Sequence, residues 1–213
     1  LMKAGGTILR AVRVLVRIAL GLTWLAAGIA LWLVLDARRT PTAEPEYVAM
    51  GSSSAAGAGL GPRQPGSPIL CSRSNDGYPP RLARALNLTL VDMTCSGSVT
   101  RHVLTGGQFF QDAQIRTLGP NTRLVTLTVG GNDVGFVRDL YLLAARKSDS
   151  VTGSLIRQFW SGPPGIERRD YAKLEAGMTA LLQTIRSRSP AATVIVATYP
   201  TVLPAHGTCP QLR

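Results

Sequence analysis

The chain has 213 residues, of which 45% are hydrophobic and 16% charged, and its formal net charge is +11. An average soluble domain is roughly 25% charged, so the composition excludes a disordered acidic or basic tail. Three cysteines in this length exclude a small disulfide scaffold, and the length leaves room for one sizeable domain beside a targeting segment.

The positive charge is spread along the chain. Residues 1–45 hold six basic and two acidic residues, a net +4, and residues 46–213 hold 17 basic and 10 acidic, a net +7. The arginines of the second part are scattered, with no basic run interleaved with aromatics, so no nucleic-acid partner is expected. An anionic envelope surface is an equally good reason for a basic domain.

Residues Ile18–Leu35 (IALGLTWLAAGIALWLVL) contain no charge. Eighteen such residues span a bilayer at the short end of the helical range. Lys3, Arg10, Arg13 and Arg17 precede them, and Arg38 and Arg39 follow, partly offset by Asp36. The heavier positive flank predicts a cytoplasmic segment 1–17 and a translocated C-terminal part. A transmembrane anchor is favoured over a cleaved signal helix, because the apolar run is long and Pro41-Thr42-Ala43 is a poor cleavage site. Residues 36–45 are polar with two prolines and read as a linker, leaving 46–213 as the domain.

Within the domain, Tyr47–Met50 is a short apolar strand ended by Gly51. Tyr78–Leu86 puts Leu82, Ala85 and Leu86 on one helical face after a proline-rich start. Leu88–Met93 is a strand, and Gln108–Leu118 is expected to be helical. Arg123–Val129 is the clearest strand, β-branched and ended by Gly130-Gly131. Val134–Arg146 reads as a helix, and Lys147–Arg168 as a loop-rich insertion around Gly162-Pro163-Pro164-Gly165. Arg169–Arg188 carries Leu174, Met178, Leu181, Leu182 and Ile185 at helical spacing, and Ala192–Tyr199 is a further buried strand. Apolar strands separated by helices predict an α/β three-layer sandwich around a central, mainly parallel, flavodoxin-like sheet. Ligand chemistry in such sheets sits at the carboxyl ends of the strands.

Three strand ends carry suitable residues: Gly51-Ser52-Ser53-Ser54-Ala55-Ala56-Gly57, then Thr94-Cys95-Ser96-Gly97, then Gly130-Gly131-Asn132-Asp133. Each alone is an ordinary loop pattern, and their joint position is the informative feature. A serine nucleophile needs a sharp turn at the sheet edge. A tetrahedral oxyanion needs two or three preorganised donors. Glycine lets its N–H approach a substrate closely, and asparagine adds an uncharged donor.

At these residues the chain resembles the SGNH hydrolases, also called GDSL esterases and lipases, and most closely their actinobacterial secreted branch. The resemblance runs from Glu46 to Arg213, and Thr122–Phe136 (TRLVTLTVGGNDVGF) is its most specific stretch. It implies that Ser53 is the nucleophile and that Gly97 and Asn132 complete an oxyanion hole with the Ser53 N–H. It also implies a Cys71–Cys95 disulfide, a pairing whose loop closure would itself stabilise the fold. The implied activity is hydrolysis of carboxylic esters through an acyl-enzyme, on a small-molecule, lipid or polysaccharide ester. No metal and no cofactor are expected, and a monomer is.

Two departures stand out. The aspartate of the family's first block is here Ser52, a G-S-S variant, which removes a carboxylate that would help to hold the turn. The family's D-x-x-H block, source of its general base, does not occur up to Arg213, and it is expected beyond that residue. Without a base a serine hydroxyl is a weak nucleophile. His102 reads as a helix-surface or pocket-wall residue and His206 as a loop residue, so the base is assigned to neither. Asp133 is expected to support the Asn132 turn. Cys209 is left over and is expected to pair beyond Arg213. Val134, Phe136 and Val137 either line an acyl pocket or are ordinary helix packing.

Other motifs fail. Gly51–Ala55 lacks the last glycine of a G-x-S-x-G elbow, no G-K-[ST] forms a phosphate loop, and no HExxH or CxxC pair supports a metal. The alternative from another class is a membrane-anchored module that keeps the scaffold, binds, and does not hydrolyse.

Overall fold

The computed structural model of the chain describes residues 2–39 and 45–199. His206, Cys209 and residues 40–44 of the expected linker lie outside the described residues.

Helix α1 runs Met2–Ala37. Its segment Val12–Ala37 has a mean hydropathy of 2.2 and none of the most apolar stretch is buried. Among the described residues nothing covers that surface. The last turn is different. Asp36 and Ala37 are buried, and Asp36 Oδ2 accepts the Ile69 N–H at 2.8 Å.

Among the described residues the domain has four parallel strands, β1 Tyr47–Gly51, β2 Leu90–Asp92, β3 Leu124–Thr128 and β4 Thr193–Val196, in the order β2-β1-β3-β4. Tyr47 stands beside both Leu90 and Leu124, and Gly51 beside Thr128. Residues of period two divide between the faces. Val48, Met50, Val125 and Leu127 face a core closed by Val103 of α4 (Thr100–Thr105) and by Leu181 and Ile185 of α7 (Tyr171–Arg188). Tyr47, Ala49 and Leu124 face Ala83 of α3 (Tyr78–Leu86) on the other side. The three layers expected from the alternation are present. The strand order reverses direction between β1 and β3, and such a switch point opens a crevice at the carboxyl ends.

Three regions differ from the sequence expectation. One is Ala192–Tyr199, expected as a buried strand, which is the four-residue edge strand Thr193–Val196, with Thr193, Ile195 and Val196 exposed because among the described residues only β3 flanks it. Gln108–Leu118 is not one helix but two 3₁₀ turns, Gln108–Phe110 and Gln114–Thr117. Gly106 and Gly107 adopt φ of 77° and 89°, and Phe109 and Phe110 follow at 48° and 64°, so no continuous right-handed helix forms. The third region is Lys147–Arg168, which is not mostly loop. It contains helix α6 (Val151–Phe159), started by Ser150, whose hydroxyl accepts the Gly153 N–H, and a 3₁₀ turn at Ile166–Arg168. The preceding helix, α5 (Phe136–Arg146), starts two residues later than expected because Gly135 turns the chain at φ 73°. Cys71 and Cys95 form the expected disulfide.

Candidate active site

Ser53 opens a single-turn helix, α2 (Ser53–Ala56), directly after β1. A side chain on Gly51 would collide with the Thr128 carbonyl of β3, and its φ is 136°, so only glycine allows the chain to turn here. Ser52 is fully buried beneath the turn. Its N–H donates to Thr128 O at 2.8 Å, and its Oγ shares a 2.8 Å hydrogen bond with the Tyr199 hydroxyl. The hydroxyl that stands in the place of the family's aspartate is therefore anchored by two elements.

The second strand end is stitched to the first. The Cys95 N–H donates to Gly51 O at 3.0 Å, and the disulfide to Cys71 adds a covalent tie. Gln114 is buried and pairs with Gly51 like an extra strand residue. Its Oε1 accepts the Gly51 N–H at 2.7 Å, and its Nε2 donates to Gly51 O at 3.1 Å and to Ser98 Oγ at 2.9 Å. Gln108 clamps the turn from outside. Its Nε2 donates to Ser96 O at 2.7 Å, and its Oε1 accepts the Ser98 hydroxyl at 2.5 Å. Gly97 lies between those two contacts, at φ 83°.

The third strand end joins the second. Asn132 Nδ2 donates to Ser98 O at 2.9 Å. Asp133 accepts the Thr100 N–H at 3.0 Å and the Thr100 hydroxyl at 2.6 Å, which fixes the start of α4. All three blocks singled out in the sequence thus belong to one hydrogen-bonded unit. Sequence reasoning missed Gln108, Gln114 and Tyr199, which carry much of that unit. They lie outside the blocks, and no local pattern marks a buried glutamine as a partner of a distant turn.

Several donors in this unit have no acceptor among the described residues. They are the N–H groups of Ser53 and Gly97 and one of the two Asn132 amide protons. The Ser53 hydroxyl is half-buried and also makes no hydrogen bond there. An N–H in the first turn of a helix has no partner inside the helix, so the Ser53 N–H is free by construction.

His102 is on α4. Its Nδ1 accepts the Val99 N–H at 3.3 Å, and its Nε2 lies 3.1 Å from the Arg101 guanidinium. Partial burial, then the Arg101 charge, hold the imidazole below its ordinary 6.5, against the opposing pull of Asp133.

A cavity of about 520 Å³ opens beside Gly130 and Gly131. Val134, Phe136, Tyr171 and Leu174 are among its walls, whereas Val137 is not. Arg169 braces one side, donating to Val134 O at 2.5 Å and pairing with the buried Asp139 at 2.8 Å. An ion pair with a buried carboxylate holds both partners in place, because separating them would leave an uncompensated charge.

Comparison with known proteins agrees with this geometry. Residues 49–213 match the GDSL-like lipase/acylhydrolase family. The chain is 33% identical over 193 residues to lipase 2 of Streptomyces coelicolor, covering 88% of this chain and 61% of the relative. It is 30% identical over 167 residues to a lipase of Streptomyces rimosus, covering 77% of this chain and 56% of the relative. The crystal structure of the extracellular lipase of S. rimosus superposes with a TM-score of 0.57 at 29% identity, over 77% of this chain and 64% of that one. That of phospholipase A1 from Streptomyces albidoflavus NA297 superposes with a TM-score of 0.57 at 30% identity, over 77% and 63%. The chain therefore spans about three fifths of the length of these relatives. With its parallel sheet and its three linked strand ends, the chain belongs to the GDSL-like lipase/acylhydrolase family.

Proposed function

We propose that this chain carries the nucleophile and the oxyanion donors of an exported serine ester hydrolase. The observation that carries the reading is the set of donors without an acceptor among the described residues, the Ser53 and Gly97 N–H groups and the second Asn132 amide proton, on one hydrogen-bonded unit that also holds a serine hydroxyl unengaged by those residues. Ser53 Oγ attacks the ester carbonyl, the three donors take the developing oxyanion, the alcohol leaves, and water releases the acyl group from Ser53. Asn132 is suited to its part because its other amide proton, bound to Ser98 O, fixes the plane of the side chain. The general base is assigned to no residue of this chain. His102 is occupied with Val99 and Arg101, and both Asp133 oxygens serve Thr100.

The substrate proposed is a carboxylic ester with an apolar acyl chain. The cavity beside Gly130-Gly131, walled by Val134, Phe136 and Leu174, receives that chain. Membership beside lipases and a phospholipase A1 supports a lipid ester.

The N-terminal helix is proposed as a retained anchor, with residues 1–17 cytoplasmic and the domain on the outer side. Two features support retention. The helical segment Val12–Ala37 is about 39 Å long at 1.5 Å per residue, enough to cross a hydrocarbon core of about 30 Å. Its last turn is also packed on the domain through Asp36 and Ile69. An acidic residue there opposes the helix dipole, so Asp36 is better explained by that contact than by helix formation.

The test is hydrolysis of p-nitrophenyl esters by the full protein from its host. Ser53→Ala is expected to abolish turnover, and Asn132→Ala to lower it roughly 10²–10³-fold without unfolding. Turnover by Ser53→Ala at the parent rate contradicts the assignment. No turnover by the parent favours the other reading, a binding module.

A further inference from the structure

The domain surface around the end of α1 is apolar. Ile69, Leu70, Phe109 and Phe110 are 45%, 38%, 42% and 62% exposed. They stand on two 3₁₀ turns, Ile69–Cys71 and Gln108–Phe110, and both turns lie against α1. The Asp36–Ile69 hydrogen bond fixes the first turn to the last turn of the helix. The two rings are displayed at a cost. Phe109 and Phe110 have φ of 48° and 64°, a left-handed conformation that bulky residues rarely adopt and that persists only where the surroundings impose it.

One surface continues this patch. The apolar stretch of α1 has no cover among the described residues, and a helix of that length and hydropathy is covered by lipid when it is retained. A bilayer held around this stretch would end with its apolar run, before Asp36, and there the helix is bonded to the turn that carries Ile69 and Leu70, while the turn that carries Phe109 and Phe110 also lies against it. The charge fits. Arg39 is paired with Asp36 there but keeps its side chain 58% exposed, and residues 46–213 carry +7, which favours an anionic leaflet. Phenylalanine and leucine belong in the boundary between headgroups and acyl chains.

The patch also touches the site. Gln108 immediately precedes the two rings, and it holds Ser96 O and Ser98 Oγ on either side of Gly97. A rigid clamp between lipid-facing rings and an oxyanion donor gives the bilayer a direct hold on the site.

We propose that Ile69, Leu70, Phe109 and Phe110 form a lipid-facing patch that seats the domain on the leaflet from which α1 emerges, and that Gln108 joins this patch to the Gly97 turn. The substrate class is then an ester lipid drawn from that same leaflet. The proposal rests on α1 being retained and on the ester-hydrolase reading, and its test separates the three.

The full chain is placed in phosphatidylcholine–phosphatidylglycerol vesicles, in a background where Trp24, Trp32 and Trp160 are replaced by phenylalanine. Carbonate washing checks the anchor first. Phe110→Trp fluorescence is then read against phosphatidylcholine brominated at carbons near the glycerol end (about the sixth and seventh). Tyr141→Trp, at a position on α5 that is 73% exposed, is the control. Quenching of Phe110→Trp to about half, with Tyr141→Trp unaffected, is expected. Retention in the membrane with equal quenching at the two positions overturns the patch alone, and so does a blue-shifted, unquenched Phe110→Trp, the mark of a second copy of the chain covering it. Release by carbonate overturns the anchor and the patch together. In the active full protein, the double variant Phe109→Ser/Phe110→Ser is expected to lower the ratio of vesicle-ester to soluble-ester turnover about tenfold. An unchanged ratio overturns the link through Gln108, and loss of activity in Ser53→Ala reports on the hydrolase reading independently.

Discussion

The Ser52 hydroxyl and the Tyr199 hydroxyl share a 2.8 Å hydrogen bond beneath the turn that presents Ser53. Tyr199 follows β4 and Ser52 follows β1, so the bond ties two strand ends that are not neighbours in the sheet. The Tyr199 ring also fills the space where a side chain on Gly131 would lie. A serine in place of the family's aspartate thus keeps a polar tether to the turn. Tyr199→Phe removes one partner of a buried hydroxyl and is expected to cost about 1 kcal/mol. Ser52→Asp puts a carboxylate beside the Thr128 carbonyl in a fully buried place and is expected to cost more, about 2 kcal/mol. Urea unfolding midpoints check both, and unchanged midpoints contradict the tether.

Gln114 has a larger effect to lose. Its amide satisfies both backbone groups of Gly51 and the Ser98 hydroxyl, all of them buried. Gln114→Leu keeps the bulk and strands these groups, with an expected loss of about 2–3 kcal/mol. Gln114→Glu retains the acceptor for the Gly51 N–H but not the two donated bonds, and is expected to fall between. Denaturant titration orders the three proteins, and a leucine variant as stable as the parent refutes the role.

Much of this architecture is legible in the sequence, and the exceptions have physical causes. The helix Tyr78–Leu86 is readable to the residue, because Pro79 and Pro80 suit its first turn and Asn87 ends it in a left-handed conformation. The strand Leu124–Thr128 is readable because it is buried throughout and three of its five residues, Val125, Thr126 and Thr128, are β-branched. Helix Thr100–Thr105 is not, since its six residues include two threonines and a valine and it lacks a polar N-cap. Its start is fixed instead by Asp133, from 33 residues away, and its side by Gly177, whose missing side chain lets Thr100 approach. Helix Val151–Phe159 carries a local signal, the Ser150 cap, which the following Gly162–Gly165 run obscures. The three site blocks are legible as motifs. The glutamines that join them are not, because a contact between Gly51 and Gln114 is a product of the fold.

His102 provides a pH signature. Its folded value lies below the ordinary 6.5, so folding favours the neutral ring. The stability this gives is present above 6.5 and is lost as pH falls through the folded value. Protonation also ends the acceptance of the Val99 N–H by Nδ1. An NMR titration of the His102 ring is expected to show a midpoint below 6.5, and His102→Gln is expected to remove this part of the acid destabilisation. A midpoint above 6.5 contradicts the described environment.

The Cys71–Cys95 bridge closes a separation of 24 residues and pins the second strand end to the loop before α3. In the loop-entropy account a closure of this length is worth about 3 kcal/mol. The double variant Cys71→Ala/Cys95→Ala is expected to lose that much and to melt at a lower temperature. Equal melting of the parent with and without reductant contradicts a structural role.

Covalent trapping tests the role of Ser53 as nucleophile. The full protein is treated with a p-nitrophenyl alkylphosphonate, which releases p-nitrophenol as the nucleophile is captured, and the product is mapped by peptide mass spectrometry. One equivalent of nitrophenol and a single adduct on Ser53 are expected, absent from Ser53→Ala and much slower to form in Asn132→Ala. An adduct on another residue, or an equal burst from Ser53→Ala, would contradict that role.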